Sequence, residues 1–194
     1  MGMSIIRIIP VLLALFPAQS PAAVPRIAIL GDSIPYAGYW PALLESGLRQ
    51  NSAYRNAEIV NFSLPSETAS GLSEPGHAQG AFPRPCIHDR LDAILSRYKP
   101  TLVIACYGMN DGMMQPFSKA NFQAYQKGME RLKAKAESAK ARFIAVTPPL
   151  YMADTPEKDS ARYNAVLDIY AGWLNGQKNK GWLVADMRPG LSRQ

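Results

Sequence analysis

The sequence predicts a three-layer α/β/α domain built on a doubly wound parallel sheet of about five strands. Two observations carry this prediction. Short runs of continuous apolar residues recur along the chain, and segments with the apolar spacing of a helix lie between them. Strands that are apolar throughout are typical of parallel sheets covered by helices on both faces. The expected arrangement is flavodoxin-like.

Five segments have the composition of buried strands. Each is rich in Val, Ile, Leu or Ala and ends at a turn that contains polar residues, Gly or Pro. They are residues 26–30, 57–62, 101–108, 142–147 and 182–187. In a sheet of this class, ligands bind beyond the carboxyl ends of the strands, so the turns that follow the strands are where a site is expected.

Between these strands, apolar residues recur at the three- and four-residue spacing of a helix that is buried on one face. The third and longest of these helices is predicted over roughly residues 118–140. The apolar positions of the four helices are Trp40, Leu43, Leu44 and Leu48; Leu91, Ile94, Leu95 and Tyr98; Phe122, Tyr125, Met129, Leu132 and Ala136; and Tyr163, Val166, Leu167, Tyr170 and Leu174.

The composition indicates one soluble globular domain. A chain of 194 residues is long enough to bury a core, and 47% hydrophobic with 19% charged residues argues against disorder. The formal net charge is +6, and a cluster of basic residues lies between Lys127 and Arg142. A solvated helix face explains this cluster, so no nucleic-acid partner is expected.

The first 22 residues have the layout of a secretory signal peptide. Arg7 precedes an apolar stretch over residues 8–16, and Ser20 and Ala22 fit the small-x-small pattern of a cleavage site. The stretch is short for a bilayer span, so a permanent membrane anchor is the weaker alternative. We expect the domain to comprise residues 23–194, to be secreted or periplasmic, and to have no stable membrane insertion after cleavage.

The two cysteines leave their redox state open. An exported chain can keep a disulfide, and Cys86 lies in a predicted loop whereas Cys106 lies in an apolar run. The sequence is compatible with a Cys86–Cys106 bridge and with two free thiols. Neither cysteine has a CxxC partner, and no spacing of His, Cys and carboxylate residues suggests zinc, so neither a metal nor another cofactor is expected.

Polar residues follow each of the first three predicted strands. They are Gly31-Asp32-Ser33 after the first strand, Asn61-Phe62-Ser63 after the second, and Tyr107 to Asp111 after the third. A lone Gly-Asp-Ser tripeptide is also common as a turn or a helix cap. The prediction of a site therefore depends on the convergence of the three loops at one edge of the sheet.

Gly31-Asp32-Ser33 after the first strand and Gly108-Met109-Asn110-Asp111 after the third resemble the two motifs of the SGNH/GDSL hydrolase family. The resemblance covers residues 26–187 and implies the SGNH hydrolase fold. It further implies ester hydrolysis by acyl transfer, with Ser33 as the nucleophile. The implied oxyanion hole consists of the Ser33 amide, an amide after the second strand and the side chain of Asn110. Donors fixed in this way stabilise the charge of a tetrahedral intermediate.

The remaining predicted site residues support this machinery. Asp32 is expected to anchor its loop by accepting backbone amides, and Gly108 and Asp111 to support Asn110 within the same motif. The amide after the second strand falls on Ser63, where the family has glycine. A serine amide can still donate, although glycine adopts φ angles that serine tolerates poorly.

The sequence departs from the family pattern at the base. The family places its Asp and His in a D-x-x-H motif near the C-terminus, whereas here Asp186 is followed three residues later by Pro189. We therefore expect the catalytic Asp and His to be absent, together with the last helix of the fold. His88 is predicted at a helix start and His77 in a long loop, and neither is expected to replace the base.

Three functional interpretations stay open at this stage. The leading one is an exported hydrolase of carboxylic esters, which takes small-molecule acyl esters or acetylated carbohydrates as its substrates. The second is a catalytically impaired or inactive protein that binds an ester or a sugar. The third is a truncated gene product, whose incomplete sheet exposes apolar surface.

The longest irregular stretch, residues 63–86, is rich in Ser, Gly and Pro. It is too long for an ordinary connection between a strand and a helix. It is either a surface excursion or a loop that shapes a substrate site, and its position after the second strand favours the second interpretation. Within it, Arg84 is flanked by Pro83 and Pro85, and surface solvation is favoured over contact with an anionic or sugar substrate.

Overall fold

Five parallel strands form one sheet, and helices cover both of its faces. The computed structural model describes residues 24–152 and 160–188. The strands, in chain order, are β1 (Arg26–Gly31), β2 (Glu58–Asn61), β3 (Leu102–Cys106), β4 (Arg142–Val146) and β5 (Leu183–Ala185). Their order across the sheet is β2-β1-β3-β4-β5. The predicted three-layer α/β/α class is confirmed, and the predicted signal peptide lies outside the described residues.

The described helices alternate with the strands. They are α1 (Ser33–Tyr36), α2 (Tyr39–Gln50), α3 (Leu91–Tyr98), α4 (Lys119–Ser138) and α5 (Ser160–Gly176). Short 3₁₀ turns cover His77–Gly80, Ile87–Asp89 and Gln177–Lys180. Sequence periodicity located the four longer helices but not α1, because a single turn is too short to show a helical period. None of the described helices is both long and apolar enough to cross a membrane.

Side chains that alternate along the strands separate the core into two parts. One face of the sheet packs against α3, α4 and α5 through residues that include Leu95, Met129 and Leu167. The other face packs against α2 through Trp40, Leu44 and Leu48. Leu43, which was predicted on the same face of α2, is 39% exposed. It lies at the edge of the apolar stripe, where one step along the helix rotates a side chain by about 100°.

The turn after β1 is tight because residue 31 has no side chain. A Cβ at Gly31 would lie 2.4 Å from Pro35 Cγ and 2.6 Å from the Cys106 carbonyl oxygen. Helix α1 therefore folds directly over the end of β1, beside the neighbouring strand β3. This close approach sets Ser33 at the first position of α1.

The long stretch after β2 closes on itself at a narrow neck. Thr68 and Cys86 form an isolated parallel bridge, in which the Thr68 amide donates to Pro85 O and the Ile87 amide donates to Thr68 O. Residues 69–85 thus leave and rejoin the domain at nearly the same point. This geometry is that of a compact surface loop closed at its base.

Both cysteines are free thiols. Cys106 is buried in β3, and Cys86 is half-buried at the loop neck. Of the two alternatives left open by the sequence, the structure has the pair of free thiols.

Candidate active site

Ser33 is the exposed end of the turn after β1. Neither its hydroxyl nor its backbone amide has a hydrogen-bond partner among the described residues, and its side chain faces solvent. The Asp32 side chain accepts the Ile34 amide at 2.9 Å and so caps α1, as the sequence predicted for this carboxylate. An amide and a hydroxyl on one residue are thus both available to a ligand.

Asn110 reaches the same edge of the sheet from β3, which pairs with β1 through Gly31 and Cys106. The side chain of Asn110 is buried and held at both ends. Its Nδ2 donates to the Glu67 carbonyl oxygen at 3.2 Å, and its Oδ1 accepts from Arg84 Nη1 at 2.9 Å. The turn before it requires Gly108, whose φ of +124° is unfavourable for residues with a side chain.

Ser63 follows β2, which pairs with the other edge of β1. Its amide donates to Asn61 Oδ1 at 3.1 Å, and Asn61 Nδ2 in turn donates to the Pro35 carbonyl at 2.7 Å. Ser63 does not adopt a positive φ, so serine fits the backbone where the family has glycine. The bond to Asn61 competes with the predicted role of the Ser63 amide as an oxyanion donor.

Three buried carboxyl groups lie beneath these loops. The pKa of Asp32 is raised to about 7, mainly by burial and to a lesser extent by the charges of Asp111 and Glu67. The hydrogen bond from the Ile34 amide acts in the opposite direction and lowers it. Burial also raises the pKa of Asp111 to about 6, although its Oδ1 accepts the Ser70 amide at 2.7 Å. Asp32 and Asp111 are therefore partly protonated near neutral pH.

Glu67 is the member of this cluster with a cationic partner. Both of its carboxylate oxygens accept from Arg90, at 2.6 and 2.7 Å, and Tyr107 Oη donates to it at 2.7 Å. Sequence reasoning missed Glu67, Arg90 and Tyr107 as site-supporting residues. Tyr107 lay within a recognised motif, but nothing in the pattern around Glu67 or Arg90 marked them as partners across 23 residues.

Neither histidine contacts Ser33 in the described structure. His88 Nε2 is 3.1 Å from the Gly128 carbonyl oxygen, and burial lowers its pKa, so the ring is neutral at pH 7. His77 stacks edge-on against Phe82, and its Nδ1 lies 3.6 Å from Glu74 Oε1. Both rings have structural contacts of their own.

Both carboxylate oxygens of Asp186 accept hydrogen bonds from neighbouring residues of the fold. Its Oδ1 accepts from Thr147 Oγ1 at 2.9 Å and from the Arg188 amide at 3.0 Å, and its Oδ2 accepts from Asn175 Nδ2 at 2.7 Å. These bonds secure the end of β5 to β4 and α5.

Arg84 is buried rather than solvated, and this corrects the sequence-based expectation. Its side chain is 7% exposed. The Nε and Nη2 atoms donate to Glu74 at 2.6 and 2.7 Å, and Nη1 donates to Asn110. The error arose because flanking prolines predict a loop but not whether its side chains point inward.

The site's donor set does not suggest a metal. Within residues 24–152 and 160–188, no group of three or more His, Cys, Asp or Glu residues is arranged to hold a metal ion. What the geometry offers is an exposed hydroxyl and neutral N–H donors on neighbouring strands. These groups suit the polarisation of a carbonyl and attack upon it.

Comparison with known proteins identifies the class to which this fold and site correspond. The GDSL-like lipase/acylhydrolase family matches residues 29–194, and the chain therefore belongs to that family. Esterase TesA of Pseudomonas aeruginosa is 33% identical over 162 residues, which cover 79% of this chain and 71% of that protein.

Two solved structures share the fold. A protein of the G-D-S-L family from Desulfitobacterium hafniense DCB-2 superposes with a TM-score of 0.57 at 24% identity, covering 83% of this chain and 76% of that one. A catalytic mutant of Axe2, an acetylxylan esterase from Geobacillus stearothermophilus, has a TM-score of 0.60 at 18% identity, with 86% and 77% coverage. The resemblance to the SGNH/GDSL family found in the sequence is thus confirmed.

Proposed function

We propose that this chain is an exported hydrolase of carboxylic esters in which Ser33 is the nucleophile. The observation that carries the proposal is the unengaged hydroxyl of Ser33 after β1, together with the Asn110 amide after the neighbouring strand β3. Membership of the GDSL family and likeness to esterases support ester substrates. The signal-peptide pattern of residues 1–22 supports export.

In the proposed reaction, Ser33 Oγ attacks the ester carbonyl carbon and loses its proton to a base. The carbonyl π electrons move onto oxygen, and the resulting oxyanion accepts from the Ser33 amide and from Asn110 Nδ2. Collapse of this intermediate breaks the bond to the alcohol oxygen, which takes a proton as it leaves. Water then attacks the acyl-Ser33 ester and releases the acid.

The described residues do not supply the base that must accept the proton of Ser33. Neither His77 nor His88 contacts Ser33, and loss of the histidine from a serine triad costs about a millionfold in kcat. We therefore propose that these 194 residues hydrolyse esters slowly and that an added base accelerates them. Tight binding of an ester without turnover is the alternative for a site with donors but no base.

The experiment measures hydrolysis of p-nitrophenyl acetate by the full chain with and without added imidazole, beside Ser33→Ala. Imidazole attacks such esters in free solution, so the Ser33→Ala protein provides the background. We expect imidazole to raise the rate of the parent protein above that of the variant. Acyl esters of longer chain and an acetylated xylooligosaccharide, run in parallel, rank the substrate classes.

Mass spectrometry after treatment with a fluorophosphonate tests the nucleophile without turnover. We expect an adduct on the peptide that contains Ser33. Equal imidazole-stimulated rates in the parent and the variant, with no adduct on that peptide, would overturn the hydrolase proposal. Saturable binding of the ester, measured by calorimetry, would then favour the binding protein.

A further inference from the structure

Arg84 occupies an unusual position for a residue of an irregular loop. Residues 69–85 lie outside the sheet, yet the Arg84 guanidinium reaches Asn110 in the motif after β3. The side chain is 7% exposed, and its Nη1 also lies 3.5 Å from the Ser66 carbonyl oxygen. A positive charge is thus buried against the amide oxygen of Asn110, the side chain that is proposed to stabilise the oxyanion.

The guanidinium is itself rigidly held. Glu74 takes both Nε and Nη2 in a bidentate pair, which is the strongest geometry for an arginine and a carboxylate. The Arg84 backbone amide donates to Ser73 Oγ at 2.9 Å. This pairing lowers the pKa of Glu74 below its ordinary value, so the pair is charged at neutral pH. Because Nε and Nη2 of Arg84 donate to Glu74, Nη1 is the remaining guanidinium nitrogen, and it donates to Asn110.

These contacts determine which end of the Asn110 amide is the donor. A guanidinium can only donate, so the atom that faces Arg84 must be Oδ1. The Glu67 carbonyl can only accept, so the atom that faces it must be Nδ2. Both constraints select the same orientation, and Nδ2 keeps a second hydrogen for which the described residues provide no acceptor.

The charge also changes the strength of that donor. A hydrogen bond from a cation to an amide oxygen draws electron density toward the oxygen and makes the N–H groups more positive. The Nδ2 hydrogen then binds a developing oxyanion more strongly than it binds a neutral carbonyl oxygen. This difference lowers the barrier to reaction and leaves ground-state binding nearly unchanged.

We propose that Arg84, held by Glu74, is a positioning residue that orients and polarises Asn110 for oxyanion stabilisation. The inference rests on the proposed ester hydrolysis by Ser33 for its kinetic consequence, but the orientation of the amide can be measured without any turnover. It assigns to the long loop a role in the chemical step in addition to any role in shaping the substrate site.

The first test is the side-chain ¹⁵N–¹H NMR signal of Asn110, assigned by its absence in Asn110→Asp. We expect a strongly shifted, slowly exchanging NH₂ pair in the parent protein. In Arg84→Met the pair should return toward ordinary asparagine shifts and exchange at least tenfold faster. Arg97→Met, which removes an exposed arginine from α3, is the matched control and should leave the signal in place. An unchanged Asn110 signal in Arg84→Met overturns the proposal.

The second test is kinetic and uses the part of the imidazole-stimulated rate that Ser33→Ala abolishes. Arg84→Met should lower kcat by about 10- to 100-fold with KM within about twofold, a smaller loss than for removal of an oxyanion donor. Arg84→Lys keeps the positive charge but cannot form the bidentate pair with Glu74. Its kcat should therefore lie between those of Arg84→Met and the parent protein. A KM effect with unchanged kcat would overturn the polarising role.

Glu74→Gln covers the case in which Arg84→Met does not fold. It leaves the arginine in place but removes its bidentate anchor, so we expect a smaller NMR shift and an intermediate kcat. An Asn110 signal and kcat identical to those of the parent would count against the anchoring role. If the Ser33→Ala protein has the same imidazole-stimulated rate as the parent protein, the proposed hydrolysis fails. The NMR comparison alone then decides whether Arg84 orients Asn110.

Discussion

The carbonyl oxygen of Ala69 lies where a side chain at Gly128 would have to be. A Cβ built at residue 128 falls 2.0 Å from that oxygen and 2.6 Å from its carbon. The long loop can rest on α4 only because this helical position carries a hydrogen alone. His88 Nε2 lies within hydrogen-bond distance of the Gly128 carbonyl at the same contact.

Gly128→Ala should therefore destabilise the protein. A methyl group forced against a backbone oxygen shifts the loop or the helix, and such overpacking costs about 1–3 kcal/mol despite the better helix propensity of alanine. The matched control is Gly172→Ala in α5, where a Cβ meets nothing within 4 Å. That change should stabilise the fold by about 0.5–1 kcal/mol. Urea unfolding of both variants measures the difference, and equal effects would contradict the clash.

Asp32→Asn should remove part of the pH dependence of stability. The pKa of Asp32 is about 7 in the folded chain, well above the value of about 4 for an aspartate in an unfolded chain, so the native state holds a proton that the unfolded chain releases. The free energy of unfolding of the parent protein should then fall as pH rises from about 4 to about 7, by an amount on the order of a few kcal/mol.

In the Asp32→Asn protein, the asparagine oxygen still caps α1, so the variant should lose this slope without losing the cap. Asp111, whose pKa is about 6, should still make the free energy of unfolding fall as pH rises, by a smaller amount and over a lower pH range. Denaturant titrations at several pH values provide the measurement. Parallel curves for the two proteins would show that Asp32 is ionised in the native state.

Glu67 and Tyr107 should behave as a coupled pair. Tyr107→Phe removes one neutral donor and should cost about 1 kcal/mol, whereas Glu67→Gln breaks a buried charge pair with Arg90 and should cost about 2–4 kcal/mol. The double variant should cost less than the sum by at least about 0.5 kcal/mol, because both changes remove the same bond. Strict additivity in unfolding experiments would contradict that bond.

The two thiols should differ in reactivity. Burial raises the pKa of both, and that of Cys106 far above its ordinary value because this side chain is fully enclosed. We expect a thiol reagent at pH 8 to modify Cys86 slowly and Cys106 only after unfolding. Reductant should leave Tm unchanged. A drop in Tm on reduction would instead indicate a disulfide.

The strands, the four longer helices and the strand-end motifs were predictable because each depends on local periodicity or on a short pattern. Ser33 and Asn110 belong to this group. Arg84 and Glu67 do not, because their partners lie 10 to 43 residues away in the chain and only the folded loop brings them together. Burial of a charged residue in an irregular loop leaves no periodic signal, and this is where the sequence-based interpretation of Arg84 failed.

The bridge between Thr68 and Cys86 holds the two ends of the loop over residues 69–85 together, so part of this loop can be exchanged independently of the sheet. Since the segment begins and ends at one point, the stretch from residue 75 to residue 82 can be replaced or lengthened without moving the sheet, and doubling a flexible loop costs only about 0.6 kcal/mol. Glu74 and Arg84 bracket that stretch and would travel with the scaffold. A library built on residues 75–82 would vary the outer part of the loop and leave the Glu74–Arg84 pair and the sheet unchanged, so it would show whether this loop segment affects ester selectivity.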